Sequence, residues 1–127
     1  MTKKILLLVF IAMGLLSCSH DEGYGGRSSV SGKIYGMDYN SSGILVSQGY
    51  LGGVKVYISK HGETNYFDST DSAYDGSFKF NYLFQGTYDL WAFGDCDSCS
   101  FDQIYVLKTI EVGKKEDAVT PDFILSF

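Results

Sequence analysis

At 127 residues, 45% hydrophobic and 16% aromatic, the chain is long enough for one packed domain and too short for a two-domain enzyme. Charged residues make up only 20%, which with so many aromatics excludes an intrinsically disordered chain. The net charge of −5 and pI near 4.8 provide no basic stripe to neutralise phosphates, so no nucleic-acid partner is expected.

Lys3 and Lys4 precede an apolar run over 5–16. In a helix, twelve residues span roughly 18 Å, short of the roughly 30 Å hydrocarbon core of a bilayer, so the run reads as a signal peptide (1–17) rather than a membrane span. It ends in Leu15-Leu16-Ser17-Cys18, which resembles the lipobox of bacterial lipoproteins. That resemblance implies cleavage before Cys18 and a lipid on its thiol, hence partnership with the membrane through several acyl chains. An ordinary secretory signal with a chance cysteine is the alternative. Cleavage removes two lysines and no acid, taking the charge from −5 to −7. Asp21 and Glu22 resemble the acidic surface-export signal of some Gram-negative lipoproteins, which implies an outer-membrane protein facing the cell surface; its periplasmic face is the alternative. Residues 18–28, with Gly23, Gly25, Gly26, Ser28 and flanking polar residues, read as a flexible tether. The domain proper is then 29–127.

Beyond the tether, no stretch of ten residues carries the 3.6-residue apolar period, whereas several alternate with β-branched and aromatic residues. An all-β domain follows, with strands expected over 30–36, 54–60, 64–70, 77–81, 86–93, 104–112 and 118–127. Seven evenly spaced strands suggest a sandwich of two sheets, each covering the apolar face of the other. In the second of these, Val54, Val56 and Ile58 point one way and Lys55, Tyr57 and Ser59 the other, and in the fourth Phe78 and Phe80 share one face in the same way. In the fifth, Tyr88, Leu90 and Ala92 share one face while Asp89, Trp91 and Phe93 share the opposite one, so both faces carry bulk. Asp75-Gly76 is a tight hairpin signal, with turns also expected at Gly52-Gly53 and Gln85-Gly86.

The series Leu51-Gly52-Gly53-Val54-Lys55-Val56, then Asp75-Gly76-Ser77-Phe78-Lys79-Phe80, then Gly86-Thr87-Tyr88-Asp89-Leu90 resembles the carboxypeptidase regulatory-like domain. These are small transthyretin-like (prealbumin-like) Greek-key sandwiches, frequent as accessory modules of bacterial surface proteins. The resemblance implies a non-catalytic role and carries over no catalytic residue. It covers about 30–90 well and the last strands poorly. The chain departs from the pattern in the long segment 37–50 and in the Cys96 loop.

Cys96-Asp97-Ser98-Cys99 invites comparison with a redox CxxC. There a helix N-terminus and nearby cations stabilise the thiolate, whereas Asp95, Asp97 and Asp102 would raise a thiol pKa here and the following residues read as strand. A small disulfide between Cys96 and Cys99, pinning a loop in an oxidising compartment, is the expected reading. Structural zinc would need His20 and His61 beside that pair, and no metal is expected. Asp71, Asp75 and Gly76 match EF-hand positions, but Ala73 and Tyr82 occupy two that should carry oxygen ligands. Weak calcium binding at Asp68, Asp71 and Asp75, or at Asp95, Asp97 and Asp102, is the alternative to solvated turns. His61 beside Gly62 reads as a surface turn residue.

Tyr57, Trp91 and Phe93, with Tyr35 as a further candidate, fall on strand faces opposite the inferred core. Such rings form a ligand platform if open, and extra core if the segment 37–50 or the tether covers them. The last strand completes a sheet or offers an edge to another chain. Together these features describe a non-catalytic envelope lipoprotein without cofactor, acting as a protein-interaction or structural module. A carbohydrate-binding lipoprotein using the aromatic face is the alternative, and a CxxC thiol oxidoreductase a remote one.

Overall fold

The computed structural model describes residues 22–96 and 100–127. Cys18, the signal segment and Cys99 lie outside these residues. The protein is all-β, with nine strands among the described residues where seven are expected: β1 (Tyr24–Tyr39), β2 (Leu45–Tyr50), β3 (Lys55–Lys60), β4 (Asp68–Asp71), β5 (Ser77–Leu83), β6 (Gly86–Asp95), β7 (Gln103–Val112), β8 (Asp117–Val119) and β9 (Phe123–Ser126). A 3-10 turn at Ser100–Asp102 precedes β7. The first sheet is organised around β1, which pairs antiparallel with β2 and β5 and parallel with β8 and β9. The second runs β4-β3-β6-β7, antiparallel throughout. Between them lie Val30, Ile34, Val56, Ile58, Phe78, Phe80, Tyr88, Leu90, Ala92, Phe123 and Leu125, all buried. Burying each of the larger side chains contributes roughly 1.5–3 kcal/mol against chain entropy. The alternation legible in β3, β5 and β6 is thus the alternation of core and outer face.

The extra strands have identifiable causes. The segment 37–50 forms the end of β1 and β2, joined by a turn in which Asn40 Oδ1 accepts from the Ser42 and Ile44 N–H groups at 2.9 and 3.0 Å. The expected terminal strand is split because Pro121 has no N–H for the ladder. The register advances by one residue there, from Val119 opposite Ser31 to Phe123 opposite Ile34. Asp75-Gly76 is a turn, with Gly76 at φ 84°, but it does not close a hairpin within one sheet: it passes the chain from β4 in the second sheet to β5 in the first.

The tether expected over 18–28 is corrected over its described part, 22–28, because β1 begins at Tyr24; residues 18–21 lie outside the described residues. The glycines that read as flexibility permit close packing instead. A Cβ on Gly26 would lie 2.1 Å from the Leu83 carbonyl oxygen, and one on Gly25 would lie 2.7 Å from the Phe84 ring. Gly23 is fastened as well, its N–H donating to Tyr88 Oη at 2.9 Å and its carbonyl accepting from the Phe84 N–H at 2.8 Å.

Among the described residues, Thr120 Oγ1 is the buried side-chain oxygen left without a hydrogen-bond partner. It sits against Gly32, where a Cβ would lie 2.3 Å from it and 2.7 Å from the Phe78 ring. A buried unsatisfied hydroxyl costs about 1–3 kcal/mol, so Thr120→Val, which keeps the shape and removes the polar atom, should stabilise the fold by about 1 kcal/mol. Urea denaturation with an unchanged m-value would show this, and a lower midpoint would refute it.

Candidate functional site

Strand register assembles the site on the outer face of the second sheet. Residues alternating with Val56, Ile58, Leu90 and Ala92 point away from the core, and pairing lines them up in rows. One row reads Ser69, Tyr57, Trp91, Leu107 across β4, β3, β6 and β7. Phe93 stands opposite Tyr105 on one side of it, and Ser59, Asp89 and Thr109 form a polar row on the other. Tyr57 and Trp91 lie nearly parallel, with centroids 5.7 Å apart and planes 15° apart, while Phe93 meets Tyr57 edge-on at 6.0 Å. Tyr66, from the loop after β3, packs on Tyr57 at 4.7 Å and on Trp91 at 6.4 Å.

Among the described residues neither expected cover lies on this face: 37–50 belongs to the first sheet, and so does the start of β1. Tyr57 and Trp91 are half-buried by their neighbours, and Phe93, Tyr66 and Tyr105 are exposed. A shallow depression of about 300 Å³ opens here, lined by Glu63, Thr64, Trp91, Phe93, Tyr105 and Leu107. Its aromatic floor and oxygen-bearing rim suit a ligand with one flat apolar face and hydrogen-bonding edges. Tyr35 is not part of it, since it lies in β1 and packs edge-on against Tyr50 at 5.4 Å.

The polar row holds a group that sequence reasoning left unconnected. Asp89 is only 6% exposed, yet it lies on the outer face between β3 and β7. His61 Nδ1 is 2.9 Å from Asp89 Oδ1, the Thr109 hydroxyl donates to the same oxygen at 2.7 Å, and the Gly62 N–H donates to Oδ2 at 3.0 Å. Burial works against ionisation of Asp89, but these hydrogen bonds and the attraction to His61 hold its pKa below the ordinary aspartate value. A lowered folded-state pKa means that the carboxylate's contribution to stability is present above the unfolded value and is lost as pH falls through the folded one. Wild type should therefore melt above Asp89→Asn at neutral pH, and the gap should close as pH drops below 3.8. Thermal melts of both proteins across pH check this, and a gap independent of pH would contradict it.

Other expected sites are placed as follows. Cys96 is disulfide-bonded, and its N–H donates to the Asp102 carbonyl at 3.0 Å, closing the loop. Among the described residues no group of three or more His, Cys, Asp or Glu side chains is gathered as for a metal. Asp68 accepts from Tyr24 Oη of β1 and from the Ser69 N–H, and Asp75 Oδ1 accepts from the Ser77 hydroxyl and N–H, so of these two carboxylates one ties β4 to β1 and the other serves a local turn. Tyr66, Tyr105, Leu107 and Asp89 were not singled out as site residues. The outward alternation of Tyr105 and Leu107 in β7 was visible, but not their alignment with Trp91. Tyr66 lies in a loop without any periodic signal.

No protein-family model matches the chain, and no curated protein matches it. Among solved structures it is similar to a "putative carbohydrate binding protein" from Pseudomonas aeruginosa, with a TM-score of 0.50 at 14% identity over 83% of this chain and 91% of that one. A second, also described as a "putative carbohydrate binding protein" and from Bacteroides uniformis, aligns with a TM-score of 0.43 at 26% identity over 78% of this chain, which spans 41% of that one. At 14% identity the first likeness speaks for the fold, and the chain is an all-β protein of two packed sheets.

Proposed function

We propose that the chain is a non-catalytic binding module whose second sheet presents a carbohydrate-binding face. The observation that carries this reading is the aligned Tyr57 and Trp91 pair, flanked by Phe93 and Tyr105 and open to solvent beside Glu63 and Thr64. A sugar ring would lay its apolar face on the indole and offer its hydroxyls to the rim. Titration of the protein with neutral oligosaccharides, followed by Trp91 emission and acrylamide quenching, tests it. Binding should shift the emission and shield the indole, whereas an unchanged spectrum across a broad panel would overturn the carbohydrate reading. A protein-interaction role draws on a different observation, the end of the β1–β2 turn and the start of β2, where Ile44, Leu45 and Val46 are exposed together. It is the reading to adopt if the panel fails.

The same proposal places the module in the bacterial envelope, held to the outer membrane through a lipid on Cys18. The lipobox resemblance of Leu15-Leu16-Ser17-Cys18 supports this placement. Cys18→Ser should abolish incorporation of labelled palmitate and release the protein from the membrane fraction; labelling that survives the substitution would refute the anchor.

A further inference from the structure

We propose that Asp89 is the positioning residue of the aromatic site, acting by clamping the loop that forms one of its walls. The inference rests on the reading of that face as a binding site. The loop runs from His61 to Phe67 between β3 and β4, and it brings Glu63 and Thr64 to the rim and Tyr66 onto Tyr57. Two of its ties to the sheet end on a single buried carboxylate, through His61 Nδ1 at 2.9 Å and the Gly62 N–H at 3.0 Å. From the other side, Thr109 of β7 donates to Asp89 at 2.7 Å and holds the carboxylate in place. Among the described residues the loop's remaining bonds are backbone or local: His61 N–H to the Thr87 carbonyl at 3.1 Å, Glu63 N–H to the Lys60 carbonyl at 3.0 Å, Ser59 Oγ to the Glu63 carbonyl at 3.4 Å, and Phe67 N–H to the Ile58 carbonyl at 3.0 Å.

Burying a carboxylate is costly unless it is hydrogen-bonded, and three donors meet that requirement here. Phe67 anchors the far end of the loop against the core, but Glu63, Thr64 and Tyr66 remain exposed, so what the clamp secures at the His61 end is their outward display. A wall ordered before the ligand arrives spares the ligand the entropic cost of ordering it, which raises affinity without adding a contact.

The test compares wild type with Asp89→Asn, His61→Ala and His61→Asn. Asparagine at position 61 can place an amide N–H where His61 Nδ1 donates. Three quantities are read: amide hydrogen exchange at Gly62 and Glu63, acrylamide quenching of Trp91, and affinity for neutral oligosaccharides. In D89N the loop amides should exchange at least about tenfold faster and quenching should rise, while the Ile58 and Leu90 amides lose only the protection that the lower global stability of D89N removes. Affinity should fall about tenfold. His61→Ala should act in the same direction, and His61→Asn should restore most of the protection and affinity. Loop exchange and quenching equal to wild type in D89N and His61→Ala would overturn the proposal. So would a rise at the loop amides no larger than the rise at the core amides, which marks a residue supporting only the whole fold. Should D89N fail to fold, the two His61 variants decide alone. If wild type binds no oligosaccharide, the carbohydrate reading fails, and exchange and quenching still decide the clamp.

Discussion

Gly26→Ala should destabilise the protein by about 3 kcal/mol, lowering Tm by roughly 10 °C or more for a domain of this size. The added Cβ would sit 2.1 Å from the Leu83 carbonyl oxygen, 2.5 Å from its carbon and 2.6 Å from Phe84 Cα. All three are backbone atoms, so no side-chain rotation relieves the clash. Either β1 lifts from β5, or the Leu83 turn moves and disturbs Tyr88, whose hydroxyl bonds the Phe84 carbonyl at 2.6 Å. Gly49→Ala is the matched control, because a Cβ there meets nothing within 4 Å and the backbone is not left-handed. It should be neutral or slightly stabilising. Thermal melts of the two variants also separate the two views of the N-terminal segment. A flexible tether would tolerate alanine at 26 as readily as at 49, and equal melting temperatures would contradict the packing of β1 described here.

Trp91→Ala should weaken oligosaccharide binding by at least about thirtyfold, equivalent to about 2 kcal/mol, the scale of an aromatic hot spot. Trp91 is central to the platform, with Tyr57 nearly parallel to it, Tyr66 edge-on, and Leu107 opposite on β7. Its removal deletes the largest flat surface and lets Tyr57 and Tyr66 collapse toward the gap. Because the indole is only half-buried, the fold should survive with a modest loss of stability. Tyr35→Ala, on the other sheet, should leave affinity unchanged. Isothermal titration of the two variants against an oligosaccharide bound by wild type measures both effects. Equal affinity in wild type and Trp91→Ala would remove this face from consideration.

Sequence pattern and three-dimensional arrangement contributed differently to the site. Tyr57, Trp91 and Phe93 were identifiable because a strand's side-chain period is two, so the core residues Val56, Ile58, Leu90 and Ala92 specify what faces outward. Their neighbours were not identifiable. Placing Leu107 beside Trp91 and Thr109 beside Asp89 requires the register of β6 with β7, which joins residues 16 and 20 positions apart and leaves no mark in either strand alone. The Asp89 clamp depends in addition on a loop reaching back over the sheet, so His61 read as an ordinary turn residue.

The amino-acid sequence by itself determined the fold class, the apolar faces of β3, β5 and β6, and the chemistry of the Asp75-Gly76 turn. These follow from local rules: alternation, β-branching, and the left-handed backbone that glycine accepts. The tertiary structure decided which strands share a sheet, the antiparallel β2 and parallel β8 and β9 beside β1, and the break at Pro121. It also turned Gly25 and Gly26 from apparent flexibility into close contacts. The absence of a side chain permits both mobility and intimate packing, and only the atoms brought alongside, here Leu83 and Phe84, determine which of the two is realised.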